Sequence, residues 1–276
     1  MKQRKLFCEI SPLCYKISVA KGCMIRRLQD IFSKECFCVE RSAEQLPAVI
    51  YKHKSLIRRQ LGDVDMTLQE NKAVNLALAA PKISGILIRP GETFSLWRLV
   101  GKTSAANGYK EGLMIKQGKP DRGIGGGLCQ LSNIIHWLVL HTPFEITEHH
   151  HHDGVDLFPD FGRQVPFGTG TSISYNYLDY RFKNNTNQAF QLIICCDEKY
   201  LNAELRSTAP LPVKYHIESR NEHFTQQNDI WYRRGEIWKQ HIDKASGKVV
   251  KEQLLKNNNA KVMYDEKYIP ETKFEK

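Results

Sequence analysis

The stretch Gly123-Ile124-Gly125-Gly126-Gly127-Leu128-Cys129-Gln130-Leu131-Ser132 constrains this chain more than any other. Four of its first five residues are glycine, which reaches backbone conformations closed to other residues and lets a second segment approach the main chain. Leu128, Leu131, Ile135, Leu138 and Val139 then recur at intervals of three and four, a spacing that predicts a buried helix starting near Cys129. Unpaired N–H groups and the helix dipole favour a thiolate at such a start, so Cys129 is the candidate reactive sulfur. A glycine-rich turn at a helix start is equally suited to cradle an anion, with Gly125, Gly126 and Gly127 around it.

Amphipathic helices are expected before this point, clearest at 21–32 and 55–61, and a packed helix at 69–80 that Pro81 stops. Short strands are expected at 92–95 and 144–148. The pattern then turns to β: 171–175, 180–182, 189–196, 201–206, 213–218, 230–242 and 249–255 are short, β-branched or aromatic runs. The stretch 243–247 reads as a hairpin turn and 256–259 as a polar break. Helices first and mainly antiparallel strands later predict an α+β fold. It divides into a basic, cysteine-rich helical region at 1–65, a core at 66–210 and a β-hairpin extension at 211–276.

The 276 residues are 41% hydrophobic and 25% charged, values that predict a real core and exclude wholesale disorder. The net charge of +10 is concentrated: residues 1–60 hold thirteen Lys/Arg against five Asp/Glu, a surplus of eight. That surplus suits a solvated face or contact with an anionic membrane, with Arg26-Arg27 and Arg58-Arg59 as candidates; no motif for specific nucleic-acid binding accompanies it. Eight cysteines follow no secretory signal, so free thiols in a reducing compartment are expected. The expected location is cytoplasmic, with a peripheral contact at the inner face of the membrane.

A thiol nucleophile needs a base in hydrogen-bonding reach and a group to orient that base. The candidates follow Cys129 in order: His149-His150-His151-His152, then Asp153, Asp156 and Asp179. If the histidines continue a strand, His150 and His152 face one way and His149 and His151 the other. Gln130 and the glycine amides could stabilise an oxyanion. A rival is a zinc sphere of Cys129, two histidines and an aspartate, although four adjacent histidines match no fixed-spacing zinc motif. No other cofactor is called for.

Pro90-Gly91-Glu92-Thr93-Phe94-Ser95, Gly108-Tyr109-Lys110-Glu111-Gly112 and Gly125 to Ser132 together resemble the VanW family. Glu148-His149 with His152, Leu178-Asp179 and Phe182-Lys183-Asn184-Asn185-Thr186 continue the same order, so the resemblance spans 69–207. Gln69 to Lys72 with Asn75-Leu76 suggests the signal-less, full-length form. The resemblance implies a link to B-type vancomycin-resistance clusters and the bacterial cell envelope, and no particular reaction. Carried over by residue, it implies roles for Gly125, Gly126, Gly127, Cys129, Gln130, Ser132, Glu148, His152 and Asp179. Two positions depart: His149 stands where the family pattern has arginine, and Gly168-Thr169-Gly170-Thr171 lacks the acid of a Gly-x-Asp run.

Two functions are compatible with these residues. In the first, Cys129 attacks an amide or ester of a cell-wall peptide precursor, His152 or His150 relays the proton, and Asp179 orients the histidine. In the second, the glycine turn, Gln130, Ser132 and Glu148 hold an anionic small molecule such as a cell-wall precursor without turnover. The missing acid favours the second.

Overall fold

The computed structural model describes residues 6–59, 65–116, 119–151, 154–160 and 162–270. Ser11 accepts from the Cys14 amide to cap α1 (Pro12–Phe32), with Pro12 at the first helical position, where its missing N–H costs nothing. Strands β1 (Cys36–Phe37) and β2 (Ala48–Leu56) follow, then α2 (Met66–Ala79), capped by Asp65. Next come β3 (Ile86–Ile88), β4 (Glu92–Ser95), the short α3 (Leu96–Val100), and the paired strands β5 (Glu111–Lys116) and β6 (Lys119–Ile124). The glycine turn leads into α4 (Cys129–Leu140), followed by β7 (Glu145–Glu148), β8 (Val155–Asp156) and β9 (Arg181–Lys183). Strands β10 (Phe190–Cys196), β11 (Tyr200–Ser207), β12 (Val213–Gln227), β13 (Ile230–Asp243) and β14 (Val249–Val262) end the fold.

This is an α+β fold. Two four-stranded sheets, ordered β1-β4-β9-β7 and β2-β11-β10-β3, enclose α2 and α4 in one apolar core. Leu131, Ile135 and Leu138 of α4 are wholly buried there, on the stripe that the spacing marked. Phe94, Phe182, Phe144 and Phe190 form a run of ring contacts with centroids 4.7, 5.1 and 4.6 Å apart, which joins the two sheets. A third sheet, β12-β13-β14-β8, extends from this core, and Asp243 and Lys248 close its β13–β14 hairpin.

Three sequence expectations are corrected. The helix expected at 55–61 is not formed by its described start, because Ser55 and Leu56 end β2, paired with Leu201 and Tyr200. Burial there alternates with period two from Tyr51 to Leu56, the signature of a strand. Residues 171–175 form no strand because their amides are engaged elsewhere: Thr171 donates to Asn133 Oδ1 at 2.7 Å and Ser172 to the His150 carbonyl at 2.7 Å. The polar residues 256–259 do not break the chain but continue β14, with Asn257, Asn258 and Asn259 opposite Glu236, Gly235 and Arg234. The β5–β6 hairpin was not anticipated; its glycines blur the alternation that marks a strand.

The first sixty-five residues split structurally. Strand β2 is part of a core sheet, whereas α1 buries no residue and attaches mainly through polar contacts. All eight cysteines are unbridged.

Candidate functional site

A cavity of about 600 Å³ lies where the start of α4 meets β2, α2, β5 and β14. One face of α4 contributes Cys129, Gln130, Asn133 and Trp137. His53, Ser55 and Arg59 enter from β2 and the residues after it, Gln69 and Lys72 from α2, and Leu113 and Ile115 from β5. His151, Phe158 and Phe167 close one side, and the asparagines of β14 another.

Cys129 is the first residue of α4, as its glycine turn predicts, and it stands half-buried on the cavity wall. Burial pushes its thiol up, and the Ile173 amide and its own amide only partly oppose this. Among the described residues no histidine is hydrogen-bonded to it. His151 shares the cavity with Cys129, whereas His150 does not line it and donates instead to Glu148 Oε1 at 2.9 Å. His149 packs between His136 and His151, with centroids 4.1 and 3.9 Å away. Burial, then repulsion from His151, pulls His149 down to about 4, so it is neutral at physiological pH. His152 and Asp153 lie outside the described residues. Among the described residues no group of three His, Cys, Asp or Glu side chains is placed to hold a metal ion.

A direct consequence concerns thiol chemistry. Alkylation of Cys129, followed by peptide mass spectrometry across pH 6–10, is expected to accelerate only above the ordinary thiol range of about 8.5. A chelator is expected to leave it unchanged. Fast labelling at neutral pH would instead reveal an activated nucleophile.

The candidate acids Asp179 and Glu148 have both carboxylate oxygens bonded. Asp179 accepts from Ser95 Oγ at 2.5 Å, the Trp97 and Tyr180 amides at 3.1 and 2.9 Å, and Arg181 Nε at 2.8 Å. Glu148 takes a bidentate pair from Arg26 at 2.6 and 2.7 Å and the Asp179 amide at 2.9 Å. Burial works to raise the Glu148 carboxyl, but the bonds from Arg26, His150 and Asp179 together hold it below its usual range. Arg181 continues the chain of pairs to Asp30 of α1, at 2.7 and 3.0 Å. Asp179, Glu148 and His150 therefore form a lock between α1 and the core, away from the cavity wall. Asp156 does line the cavity, yet it is tied to Arg233 at 3.2 Å and to the Tyr264 hydroxyl at 2.9 Å.

The glycine turn is a packing joint. Gly125 N donates to the Lys110 carbonyl at 3.0 Å, Gly126 N to Gly123 at 3.0 Å and Gly127 N to Leu113 at 2.8 Å, so these amides are satisfied within the protein. Asn75 of α2 holds the turn from below, donating to the carbonyls of Lys110 and Gly126 at 3.0 and 2.9 Å. Gln130 donates to Ser55 Oγ and the Leu56 carbonyl, both at 2.9 Å, fastening α4 to β2. Ser132 donates to the Cys129 carbonyl at 3.0 Å and bonds Thr171 Oγ1, fixing the cavity loop.

The cavity's charge comes from elsewhere. Lys72 is buried, with Nζ donating to Gln69 Oε1 at 2.6 Å and its stem lying where a Gly127 side chain would be. Burial first, then repulsion by Arg59 and Arg58, pulls its ammonium down to about 7. Arg59 is partly buried, and burial followed by repulsion from Arg163 lowers it from its usual range. Arg163 pairs with Asp160 at 2.6 Å, but neither Arg59 nor Lys72 has a carboxylate partner among the described residues.

Residues 71–206 match the family described as VanW like protein. Vancomycin B-type resistance protein VanW of Enterococcus faecalis is 29% identical over 229 residues, which cover 83% of this chain and 83% of that protein. The chain carries a VanW-like domain. Uncharacterized protein YoaR of Bacillus subtilis is 30% identical over 43% of this chain and 37% of its own length. No solved structure matches.

In this VanW-like chain the motif residues fall into two groups. Gly127, Cys129 and Gln130 reach the cavity; Gly125, Gly126, Ser132, Glu148 and Asp179 hold the segments that shape it. Sequence reasoning missed Lys72 and Arg59 as cavity residues. For Lys72 a signal existed: Leu68, Lys72 and Leu76 stand four apart on the buried face of α2, where a solvent-seeking lysine is out of place. Arg59 carried no such signal, because its position depends on β2 being a strand.

Proposed function

We propose that this VanW-like protein binds an anionic small molecule in the cavity beside Cys129, without turnover by that residue. The observation that carries the reading is the pair Arg59 and Lys72, two basic side chains facing one cavity with no carboxylate partner of their own among the described residues. Burying an uncompensated cation is unfavourable, and an entering anion relieves that penalty. His53, Asn133 and Asn258 add polar groups, while Trp137, Leu113 and Phe167 supply apolar wall, a combination suited to a peptide-like ligand ending in a carboxylate. The similarity to a vancomycin-resistance protein makes a cell-wall peptide precursor the natural class, and a role in resistance or at the cell envelope part of the same proposal.

Lys72 gives the reading a pH signature. The folded protein holds this amine near 7, against 10.5 in its ordinary state, so between those values the unfolded chain carries a proton that the folded chain has lost. Stability from this group therefore rises with pH across that window and is lowest below about 7. Anion binding reverses the balance by favouring charged Lys72. Calorimetric titration with a short peptide carboxylate, and with inorganic phosphate as the simpler probe, is expected to show proton uptake between about pH 7 and 9 and affinity falling across it. Lys72→Met is expected to weaken binding by roughly tenfold or more while raising stability by on the order of 2 kcal/mol at pH 6. Cys129→Ala should retain binding. Unchanged affinity in Lys72→Met would sink the proposal.

A second reading keeps the cysteine chemistry, on the single ground that Cys129 and His151 line the same cavity. In it Cys129 attacks the acyl carbon of an amide or ester while a histidine takes the thiol proton, and the C–N or C–O bond breaks as the histidine returns that proton to the leaving amine or alcohol. Selective loss of turnover in Cys129→Ser, with binding retained, would favour it.

A further inference from the structure

We propose that α1 is an interfacial anchor whose outer face lies on an anionic lipid surface. The proposal does not depend on the cavity. Helix α1 is attached by one face only: Gly22 packs against the Tyr177 ring, the Asn176 side chain donates to the Cys23 carbonyl at 3.1 Å, and Arg26 and Asp30 pair with Glu148 and Arg181. Ordinarily the apolar stripe of such a helix would turn inward onto this contact. Here it turns outward. Leu13, Ile17, Met24, Leu28 and Ile31, spaced at helical intervals, are 66%, 49%, 57%, 46% and 71% exposed, and Phe32 at the end of the helix is 81% exposed.

The charges beside the stripe select the occupant. Lys16 and Arg27 flank it on one side and Lys21 on the other, all three exposed and without a carboxylate partner among the described residues. Asp30 is the only acidic residue between Pro12 and Phe32, and it is turned inward onto Arg181. An apolar stripe edged on both sides by cations, with no carboxylate on the outer face, complements anionic headgroups above acyl chains. A protein partner would need acidic groups placed to match both edges. At 21 residues the helix is about 30 Å long and could lie along a bilayer surface. No helix among the described residues is long and apolar enough to cross a membrane.

Flotation of the full chain with vesicles tests this. Binding is expected to vesicles of phosphatidylcholine mixed with phosphatidylglycerol, to weaken as salt rises, and to be far weaker with phosphatidylcholine alone. Replacing Lys16, Lys21 and Arg27 by glutamine should weaken binding on the order of a hundredfold, about a factor of five per cation. Ile17→Glu with Met24→Glu should abolish it; both positions are exposed, so the fold is expected to remain, and an unchanged melting temperature would verify that. The proposal is overturned if the chain ignores anionic vesicles or binds neutral ones equally. It is also overturned if the stripe proves to pair two copies, seen as a dimer in sedimentation that dissociates in the double glutamate variant.

Discussion

Gly126→Ala is expected to lose on the order of 3 kcal/mol or more of folding stability, enough to leave much of the chain unfolded. A Cβ at Gly126 would stand 2.2 Å from both the carbonyl carbon and oxygen of Gly112. The obstruction is backbone from β5 and cannot be relieved by turning a side chain. Gly112 is caught in the same joint, its own Cβ position lying 2.5 Å from the Gly126 carbonyl oxygen. Two glycines 14 positions apart thus form one contact, which lets the β5–β6 hairpin close over the start of α4. Gly170→Ala is the control, since the nearest atom to its Cβ position is Asn133 Oδ1 at 4.0 Å; it should cost about 1 kcal/mol or less. Urea unfolding of the two variants beside the parent measures the difference. Comparable small losses would show that the joint yields.

Asp179→Asn is expected to cost about 3–5 kcal/mol, because it breaks the lock between α1 and the core. The Trp97 and Tyr180 amides both donate to Asp179 Oδ1, which an asparagine could still offer. Oδ2 serves Ser95 Oγ and Arg181 Nε, and an amide nitrogen there would face the arginine donor to donor. Arg181 would keep Asp30, and Glu148 at 3.5 Å, but lose the carboxylate closest to its Nε. Thermal unfolding together with proteolytic release of α1 reads the effect. If Asp179 served only to orient a catalytic histidine, stability would be untouched. The lock is also acid-sensitive: the lowered Glu148 carboxyl contributes fully above its ordinary 4.5 and loses that contribution as the pH falls further.

Both predictions concern residues that stood out in the sequence for chemistry and that make structural contacts here. Asp179, Glu148 and Ser132 were visible because they match the VanW motifs, Asp179 also as one of the aspartates that follow the histidines. Their partners were not visible. Arg181 Nε is two positions from Asp179, but Ser95 is 84 away; Arg26 is 122 positions from Glu148, and Thr171 is 39 from Ser132. A buried carboxylate held by such partners and one poised for catalysis present the same letter in a sequence.

What the sequence by itself determined is what local physics encodes. Periodicity three to four marked α4 and its buried stripe, short β-branched or aromatic runs marked β10 and β11, and the polar run after Ile242 marked the β13–β14 turn. The order of these signals was enough for the α+β class, and the ordered motifs for the VanW-like domain. Tertiary structure alone decided the rest. Strand β2 exists because β11 offers it an edge, and β14 runs through three asparagines because β13 satisfies their backbone. The same long-range packing turned His150 away from Cys129 and brought Lys72 and Arg59 to the cavity that Cys129 lines. Burial and charge pairing depend on which segments meet, and those meetings are settled only when the core closes.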